Sequence, residues 1–435
     1  MIRCLLVFFF LAASLAGAQP VMSLTMTKIT GSDLKGGEYF GESVDISGNY
    51  AVVGAEYDDD NGAHSGSAYV FERVGTRWSQ QAKMTASDGV AEDRFGYSIG
   101  IAGDYVIVGA YGDDGFRGAA YVFHRDGTRW NQQTKLRAGD GVADDLFGLS
   151  AAISGAYAIV GASNDESGRG AAYVFRRDGG SWIQQAKLTA DDGAADDLFG
   201  IKVALSGDDA VVGAGGSGSG RGAVYVFQRT GTAWIQEAKL MADDGAAGDN
   251  FGFGVSISGE YVAVGAYADD GYAGSAYVFK RDGGKWTQEA KLTAPDREAN
   301  DWFGHSVAVS GDWIIVGAER VDERFGGGAI YLFKREGSLW PLHAKLIPYD
   351  GGVLGASVAI SGGYAITGGG FKNAAYIIVP DDADPSGCTA IDGSLNLPIP
   401  CLEYGGTNVD LPIVLERYAN PADPSGLYWR LKLGK

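Results

Sequence analysis

Acidic residues fall into two sets of short segments, and these segments are the first candidates for chemistry in this chain. One set contains seven aspartates: Asp58, Asp59, Asp60, Asp113, Asp114, Asp269 and Asp270. Clustered carboxylates can hold a hard cation such as calcium, which prefers six to eight oxygen ligands. We keep these aspartates as weak cation candidates, beside the plainer interpretation that a run of charge is a solvated surface.

Other chemistry finds little support in the sequence. The four histidines (His64, His124, His305 and His343) occupy four different positions of the repeat described below, which argues against a shared metal cluster. We expect no phosphate loop, no cysteine nucleophile and no serine in a Gly-x-Ser-x-Gly nucleophile elbow. The acidic pairs recur from unit to unit, whereas an active site needs one asymmetric constellation with separated pKa values. We therefore expect no enzyme activity, no catalytic residue and no required cofactor.

A repeated Phe-Gly pair organises the whole chain. Its copies lie 51–55 residues apart, ending in a degenerate copy at Leu354-Gly355. The repeat signature consists of Phe40, Gly41, Phe95, Gly96, Phe147, Gly148, Phe199, Gly200, Phe251, Gly252, Phe303 and Gly304. A period of this length with several short strands per unit is typical of a radial β array, so the chain is predicted to be all-β.

The third unit shows how each repeat is built. Strand-like runs cover 149–154, 157–162, 170–176 and 182–188, with turn residues between them. Four such strands, which we call a, b, c and d, make one antiparallel blade. The seventh unit lacks its strand d, and we predict that the N-terminal run 24–29 fills the vacant edge, giving a seven-bladed β-propeller of four-stranded blades.

The Phe-Gly start and the Val108-Gly109-Ala110 end of strand b resemble the FG-GAP repeat of the integrin α N-terminal propeller and of exported bacterial proteins. The resemblance covers about residues 22–380. Integrin-like repeats hold calcium in an acidic loop between strands a and b. Here that link is a tight turn such as Ala102-Gly103-Asp104-Tyr105, so the family's calcium loop is absent and calcium stays open only as a weak ligand.

The chain ends predict export and a small extra module. Residues 1–18 have the charged start, apolar run and small-residue site of a signal peptide. The propeller is assigned to residues 19–380, a linker to 381–387 and a small β module to 388–435. Cys388 and Cys401 favour a disulfide that staples this module, with two free thiols as the alternative.

Charge and loop placement guide the prediction of function. The net charge of −19 argues against nucleic acid, and no further segment is long and apolar enough to span a membrane. The acidic segments between strands b and c, and those between strand d and the next strand a, such as Asp88 and Asp93, should lie on one face of the disc. We predict a monomeric, non-catalytic adhesion protein, extracellular, on the cell surface or periplasmic, whose acidic loop face binds a protein. The alternatives are glycan binding, which would use aromatic residues at a channel mouth (Tyr57, Tyr111, Tyr267 and Tyr272), and a hydrolase or lyase active there.

Overall fold

A computed structural model describes residues 25–321, 327–348, 352–379, 413–418 and 428–433 of the 435-residue chain. Within these residues there are seven four-stranded antiparallel sheets and one separate two-stranded hairpin. The predicted signal peptide, the linker 381–387 and both Cys388 and Cys401 lie outside the described residues.

Six blades are formed by consecutive strands in the order a, b, c, d, with a nearest the axis. Their bounds are: blade 1, β2 (Val44–Ser47), β3 (Tyr50–Ala55), β4 (Ser67–Val74) and β5 (Arg77–Met84); blade 2, β6 (Ser98–Ala102), β7 (Tyr105–Ala110), β8 (Ala119–Asp126) and β9 (Arg129–Leu136); blade 3, β10 (Ser150–Ser154), β11 (Tyr157–Ala162), β12 (Ala171–Asp178) and β13 (Ser181–Leu188); blade 4, β14 (Phe199–Ser206), β15 (Asp209–Ala214), β16 (Ala223–Thr230) and β17 (Ala233–Leu240); blade 5, β18 (Gly254–Ser258), β19 (Tyr261–Ala266), β20 (Ser275–Asp282) and β21 (Lys285–Leu292); blade 6, β22 (Phe303–Ser310), β23 (Trp313–Ala318), β24 (Ala329–Lys334) and β25 (Leu342–Leu346).

The N-terminal strand closes the ring, as predicted. Blade 7 combines β26 (Ser357–Ser361), β27 (Tyr364–Gly369) and β28 (Ala374–Val379) with β1 (Thr25–Ile29). Strand β1 pairs antiparallel with β28 along its whole length, from Thr25 opposite Val379 to Ile29 opposite Ala375. Without β1, the backbone donors and acceptors of β28 would form an open edge.

Short helical turns interrupt the links at one end of the blades. They are α1 (Asp113–Phe116), α2 (Asp165–Gly168), α3 (Ser217–Gly220), α4 (Asp269–Tyr272) and a 3-10 turn (Gly370–Lys372). All five lie between strands b and c of their blades. Each of the first four contains two residues with left-handed backbone, such as Asp114 at φ 53° and Gly115 at φ 68°. They are therefore tight loops and not extended helices.

The Phe-Gly pair locks one blade onto the next. The Phe95 ring is fully buried and packs edge-on against Tyr121 at 5.4 Å, while its N–H donates to the Ser65 carbonyl of blade 1. Gly96 has φ +97°. The backbones of adjacent blades touch at this point, since a Cβ on Gly54 would lie 2.0 Å from the Gly96 oxygen. Glycine is required here by close approach as well as by conformation.

Tryptophans near the start of the outer strands tie neighbouring blades together. The indole N–H of Trp130 in blade 2 donates to Gln81 of blade 1 at 2.8 Å, and Trp182 repeats the contact with Gln133 at 3.0 Å. This supports a structural role for the repeated tryptophans. Apart from the ring, strands β29 (Ile413–Tyr418) and β30 (Tyr428–Leu433) form an antiparallel hairpin within the predicted C-terminal module.

Candidate binding site at the loop rim and channel mouth

The b-to-c loops and the d-to-a links lie at the same end of the blades, as the sequence predicts. Glu92 and Arg94 of the link after blade 1 donate backbone hydrogen bonds to Ala63 and His64 of the blade 1 loop, at 2.8 and 3.1 Å. The same pattern joins Leu146 to Phe116 in the next unit, at 2.9 Å. We call this end of the molecule the rim.

A cluster of charged and phenolic side chains fills the rim of each blade. In blade 2, Lys135 of strand d lies opposite Tyr121 of strand c, so both side chains share one face. The Lys135 ammonium contacts the carboxylates of Asp88, at 2.7 Å, and Asp113, while the Tyr121 hydroxyl donates to the same two aspartates at 3.0 Å. Asp113 is buried, and the positive charge of Lys135 balances its negative charge inside the protein. We call this arrangement the rim cluster.

The rim cluster recurs around the ring with small variations. Each of its lysines lies 5.1–5.7 Å from the centre of a tyrosine ring in strand c. The pairs are Lys28–Tyr376, Lys83–Tyr69, Lys135–Tyr121, Lys187–Tyr173, Lys239–Tyr225, Lys291–Tyr277 and Lys345–Tyr331. In blade 4 the loop aspartate is replaced by Ser217, and Lys239 pairs with Asp192 at 2.7 Å.

The seven predicted cation candidates therefore have partners within the protein. The inner members of the set, Asp58, Asp113 and Asp269, all contact a lysine. Asp60 pairs with Lys83 at 2.6 Å, Asp114 with Arg117 at 3.4 Å and Asp270 with Arg297 at 2.8 Å. Asp59 accepts a hydrogen bond from the His64 backbone at 2.8 Å. Within the described part of the chain, no group of three or more acidic, histidine or cysteine ligands is arranged to hold a metal ion.

A second group of side chains, unlike the first, is not repeated. It comes from the residues next to each Phe-Gly pair and after each strand b, and we call it the channel mouth. Its members are Tyr39, Glu42, Glu56, Tyr57, Arg94, Tyr97, Tyr111, Lys202, Phe253, Tyr267, Trp302, His305, Glu319 and Arg320. Consecutive first strands contact one another all round the ring, including β26 with β2, so these side chains surround one central channel.

Aromatic rings form one wall of the mouth on blades 1 and 2. Tyr39 stacks on Tyr57 with ring centres 4.4 Å apart, and the Arg94 guanidinium lies 4.1 Å from the Tyr57 ring. Tyr97 packs edge-on against Tyr111 at 4.6 Å. Arginine over an aromatic face is a favourable cation–π contact, so this wall is rigid and amphipathic.

Blades 5 and 6 form the opposing wall. Tyr267 contacts Phe253 at 4.7 Å and Trp302 at 5.4 Å, and Trp302 stacks on His305 at 5.6 Å. Arg320 lies 3.6 Å from the Trp302 ring. The mouth thus presents two separate aromatic walls with polar groups between them.

Buried ionisable groups join the two walls. Burial raises the pKa of Glu56 to about 8, helped by the charge of Glu42. Burial raises the pKa of Glu319 to about 7, again with a contribution from Glu42. The charge of Glu42 in blade 1 acts on both Glu56 and Glu319, although Glu319 belongs to blade 6. The three carboxyl groups therefore share one environment.

Two basic groups of the mouth, His305 and Lys202, have lowered pKa values. Burial lowers the pKa of His305 to about 4, assisted by the charge of Lys202. Burial also lowers the pKa of Lys202, which the charge of Glu42 opposes. His305 is therefore neutral near pH 7, with its Nδ1 3.5 Å from the Glu319 Oε2 atom.

Several polar atoms of the mouth have no hydrogen-bond partner. They are the Oε2 atoms of Glu42 and Glu56, an Nη1 of Arg94 and the Nδ1 of His305. Glu56 is only 5% exposed, so its free oxygen is an unsatisfied buried acceptor. The mouth is polar, enclosed and incompletely bonded, which is the chemistry of a binding site.

A family model for the FG-GAP repeat matches residues 25–71, 78–123, 130–175, 182–227, 234–279 and 286–333. These six matches cover more than half of the chain. The chain belongs to the FG-GAP repeat family. No curated protein matches it at a significant level. The family and the seven blades together confirm the predicted integrin α-like FG-GAP propeller.

The links between strands a and b are as short as the sequence predicts. Strands a and b are joined by two-residue turns, between Ser47 and Tyr50 and between Ala102 and Tyr105. The described residues include no helix that is long and apolar enough to span a membrane. The fold fits a protein-binding propeller.

Most of the mouth escapes prediction from sequence. Tyr57, Tyr111 and Tyr267 are expected there and do line it, and Tyr272 lies beside Tyr267 at 6.1 Å. Glu42, Glu56, Lys202 and Glu319 are missed, and His305 is noted only as a poor metal ligand. Comparing the repeats position by position could have found them, because they occupy the places that change from blade to blade.

One serine motif has a structural explanation. The expectation that no nucleophile elbow occurs was wrong as to spacing, since Gly96-Tyr97-Ser98-Ile99-Gly100 has the Gly-x-Ser-x-Gly pattern. The Ser98 hydroxyl donates to the Gly148 carbonyl of the next blade at 2.8 Å, as Ser43 does to Gly96 at 2.6 Å. Ser98 therefore belongs to a repeated contact between first strands.

Proposed function

We propose that this FG-GAP propeller is an exported, non-catalytic binding protein whose rim docks a protein partner. The observation that carries the proposal is a group of exposed apolar side chains on neighbouring rim loops of blades 1 to 3. Val90 and Val142 are each 58% exposed, and Phe116 is 40% exposed. An exposed apolar area bordered by polar residues is typical of protein docking sites.

The loops that carry this patch are held in place. Asp93 accepts a hydrogen bond from the Val90 backbone at 2.8 Å, and Asp145 accepts one from Val142 at 2.7 Å. Loops that are ordered before binding lose less conformational entropy on association, which favours affinity. Asp93 and Asp145 thus support the binding surface by fixing the shape of these links.

Acidic residues flank the apolar patch and indicate the chemistry of the partner. Glu92, Asp114 and Asp144 are all exposed beside it. With a net charge of −19, the protein attracts basic surfaces over long range. The partner we expect has an apolar contact area bordered by lysine or arginine.

Binding of the purified mature protein to cell-envelope and extracellular proteins of its own organism tests the proposal. We expect saturable binding that protease treatment of the envelope abolishes and that Val90→Ser with Val142→Ser weakens at least tenfold. Ala194→Ser with Ala246→Ser is the matched control, since these residues occupy the same position of later repeats. Absence of saturable binding, or equal loss in both double variants, would refute a rim docking site.

A further inference from the structure

We infer that the channel mouth is a pH-responsive latch, which holds the ring closed at its seam and loosens when its buried carboxyl groups ionise. The seam lies inside blade 7, where β1 pairs with β28 across the two ends of the ring. This latch is separate from the rim surface that we propose for a protein partner, and it does not depend on that partner.

Two parts of the chain meet at the seam. Strand β1 is continuous with blade 1 through residues 30–43, whereas β26, β27 and β28 follow blade 6. Across the seam, the Asn373 side-chain amide donates to the Glu38 carboxylate at 2.8 Å and accepts from the Phe40 backbone at 3.0 Å. The Ser357 hydroxyl donates to the Gly41 carbonyl at 3.2 Å. Opening the ring at this point therefore separates blade 1, with β1, from blade 6 and β26–β28.

Carboxyl groups of the mouth lie on both sides of this seam. Glu42 and Glu56 flank the first two strands of blade 1, while Glu319 follows β23 in blade 6. The charge of Glu42 acts on both of the other carboxyl groups. Glu42 also packs tightly on blade 7, since a Cβ on Gly370 would lie 2.3 Å from its Oε2 atom. Negative charges on these groups would repel one another across the seam.

Close packing encloses the carboxyl groups. Glu56 is only 5% exposed. The Oε2 atoms of Glu42 and Glu56 are buried and have no hydrogen-bond partner among the described residues. Tyr39 and the Arg94 guanidinium cover the Tyr57 ring, at 4.4 and 4.1 Å. A charge that is buried without hydrogen bonds is costly, so this packing suits the neutral form of the carboxyl groups.

Basic groups around the carboxyl groups only partly offset burial. The ionisable side chains that face them are Tyr39 and Tyr57 beside β2 and β3, Arg94 in the link after blade 1, Tyr97 and Tyr111 of blade 2, Lys202 of blade 4, and His305 and Arg320 of blade 6. Burial raises the pKa of Glu42, against the opposing charge of Lys202. It likewise raises the pKa of Glu56 to about 8 and that of Glu319 to about 7, against Arg94 and Arg320.

These shifts set the direction of the response. Because the folded pKa values of Glu56 and Glu319 lie above the ordinary 4.5, the closed mouth favours their protonated forms, and its stability falls as pH rises through about 7 to 8. His305 sets the acid limit, since burial lowers its pKa from 6.5 to about 4 and its stabilising neutral form is lost on acidification. The latch is tightest between these limits, at about pH 5–6.

Hydrogen–deuterium exchange followed by mass spectrometry tests the latch in the wild-type chain at pH 6 and pH 9. Exchange rates at each pH are divided by the chemical rates of the unfolded chain, which gives a protection factor for each strand. We expect β1 and β28 to lose at least tenfold in protection at pH 9. Strands β11 and β12 of blade 3, far from the seam, should keep theirs.

A double variant identifies the groups responsible. Glu42→Gln with Glu319→Gln retains the side-chain shapes but cannot ionise, so β1 and β28 should stay protected at pH 9. Glu260→Gln, in an exposed turn of blade 5, is the matched control and should respond like the wild type. The wild-type comparison stands by itself if the double variant does not fold.

Three results would overturn the inference. They are equal protection of β1 and β28 at pH 6 and pH 9, an equal loss of protection in every blade, and a double variant that responds like the wild type. Binding of a partner to the rim is measured separately, so its absence would leave the latch standing.

Discussion

The rim clusters and the channel mouth both place carboxyl groups beside basic and aromatic side chains, yet their bonding differs. In a rim cluster such as Lys135, Tyr121, Asp88 and Asp113, the carboxylates accept hydrogen bonds from a lysine and a tyrosine. In the mouth, Glu42 and Glu56 each keep an oxygen without a partner. In the repeated rim clusters the carboxylates are bonded, although the Tyr173 hydroxyl of blade 3 lacks a partner, whereas in the mouth, where the residues change from blade to blade, the carboxyl groups themselves are left incompletely bonded.

The largest expected effect comes from breaking a rim cluster. Lys135 and Arg137 both contact the carboxylate of Asp113, and Asp113→Ala removes this shared partner. We expect a loss of about 2–3 kcal/mol in the free energy of unfolding, because hydrogen bonds to a charged group contribute roughly 1.5–3 kcal/mol, while Lys135 keeps its contact with Asp88. Blade 4, where Ser217 replaces the aspartate, shows that the fold itself tolerates the change.

Urea denaturation measures this loss, and Asp114→Ala is the control. Asp114 is the exposed neighbour of Asp113 and should change stability by less than about 0.5 kcal/mol. If the two variants were equally stable, the rim clusters would not be the source of stability that we assign to them.

A smaller effect of opposite sign is expected in the mouth. The folded pKa of Glu56, about 8, lies above its ordinary value of 4.5, so folding favours the protonated form and wild-type stability is lost as pH rises from about 4.5 to 8. Glu56→Gln cannot ionise. We expect it to be more stable than the wild type at pH 9, on the order of 2 kcal/mol, and about equal at pH 4.

Unfolding free energies of both proteins across this pH range check the sign. Asp244 provides the contrast in the rim, because its hydrogen bond from Lys291 lowers the pKa of its carboxyl group below 3.8. Its contribution is present above that pH and is lost on acidification. A Glu56→Gln variant that tracked the wild type at every pH would contradict an unpaired, buried Glu56.

The smallest expected effect is that of calcium. Lysine and arginine already contact most of the acidic rim residues, so we expect millimolar calcium to leave the thermal midpoint of the protein within about 1 °C of its metal-free value. Binding to the native state at about 100 times the dissociation constant would stabilise it by roughly 2.7 kcal/mol, a rise of several degrees. Such a rise would place a cation site on the rim after all.

The fold was predictable because its signals repeat. Phe95-Gly96 and its copies fix the period, two-residue turns fix strands a and b, and the missing strand of the seventh unit points to residues 24–29. The rim clusters were only half predictable. The aspartates stand out, but the register that sets Lys135 opposite Tyr121 is a property of the folded blade.

The mouth was the hardest part to predict. Each blade supplies one or two of its residues, so Glu42 and Glu319, some 277 positions apart, meet only once the ring is closed. Nothing in the local sequence around Glu56 signals that its carboxyl group will be buried and unpaired. Residues that break the repeat carry little pattern by definition, and their convergence follows from the geometry of the disc.

The pairing of β1 with β28 joins the first and the last strands of the ring in sequence order. Residue 25 precedes the other strands of the ring in sequence and residue 379 follows them, so the seventh blade cannot be completed until the chain between them has been synthesised. Contacts this distant in sequence form slowly. Until β1 pairs with it, β28 keeps an open edge, so the ring is closed by the contact between its two most distant strands in sequence.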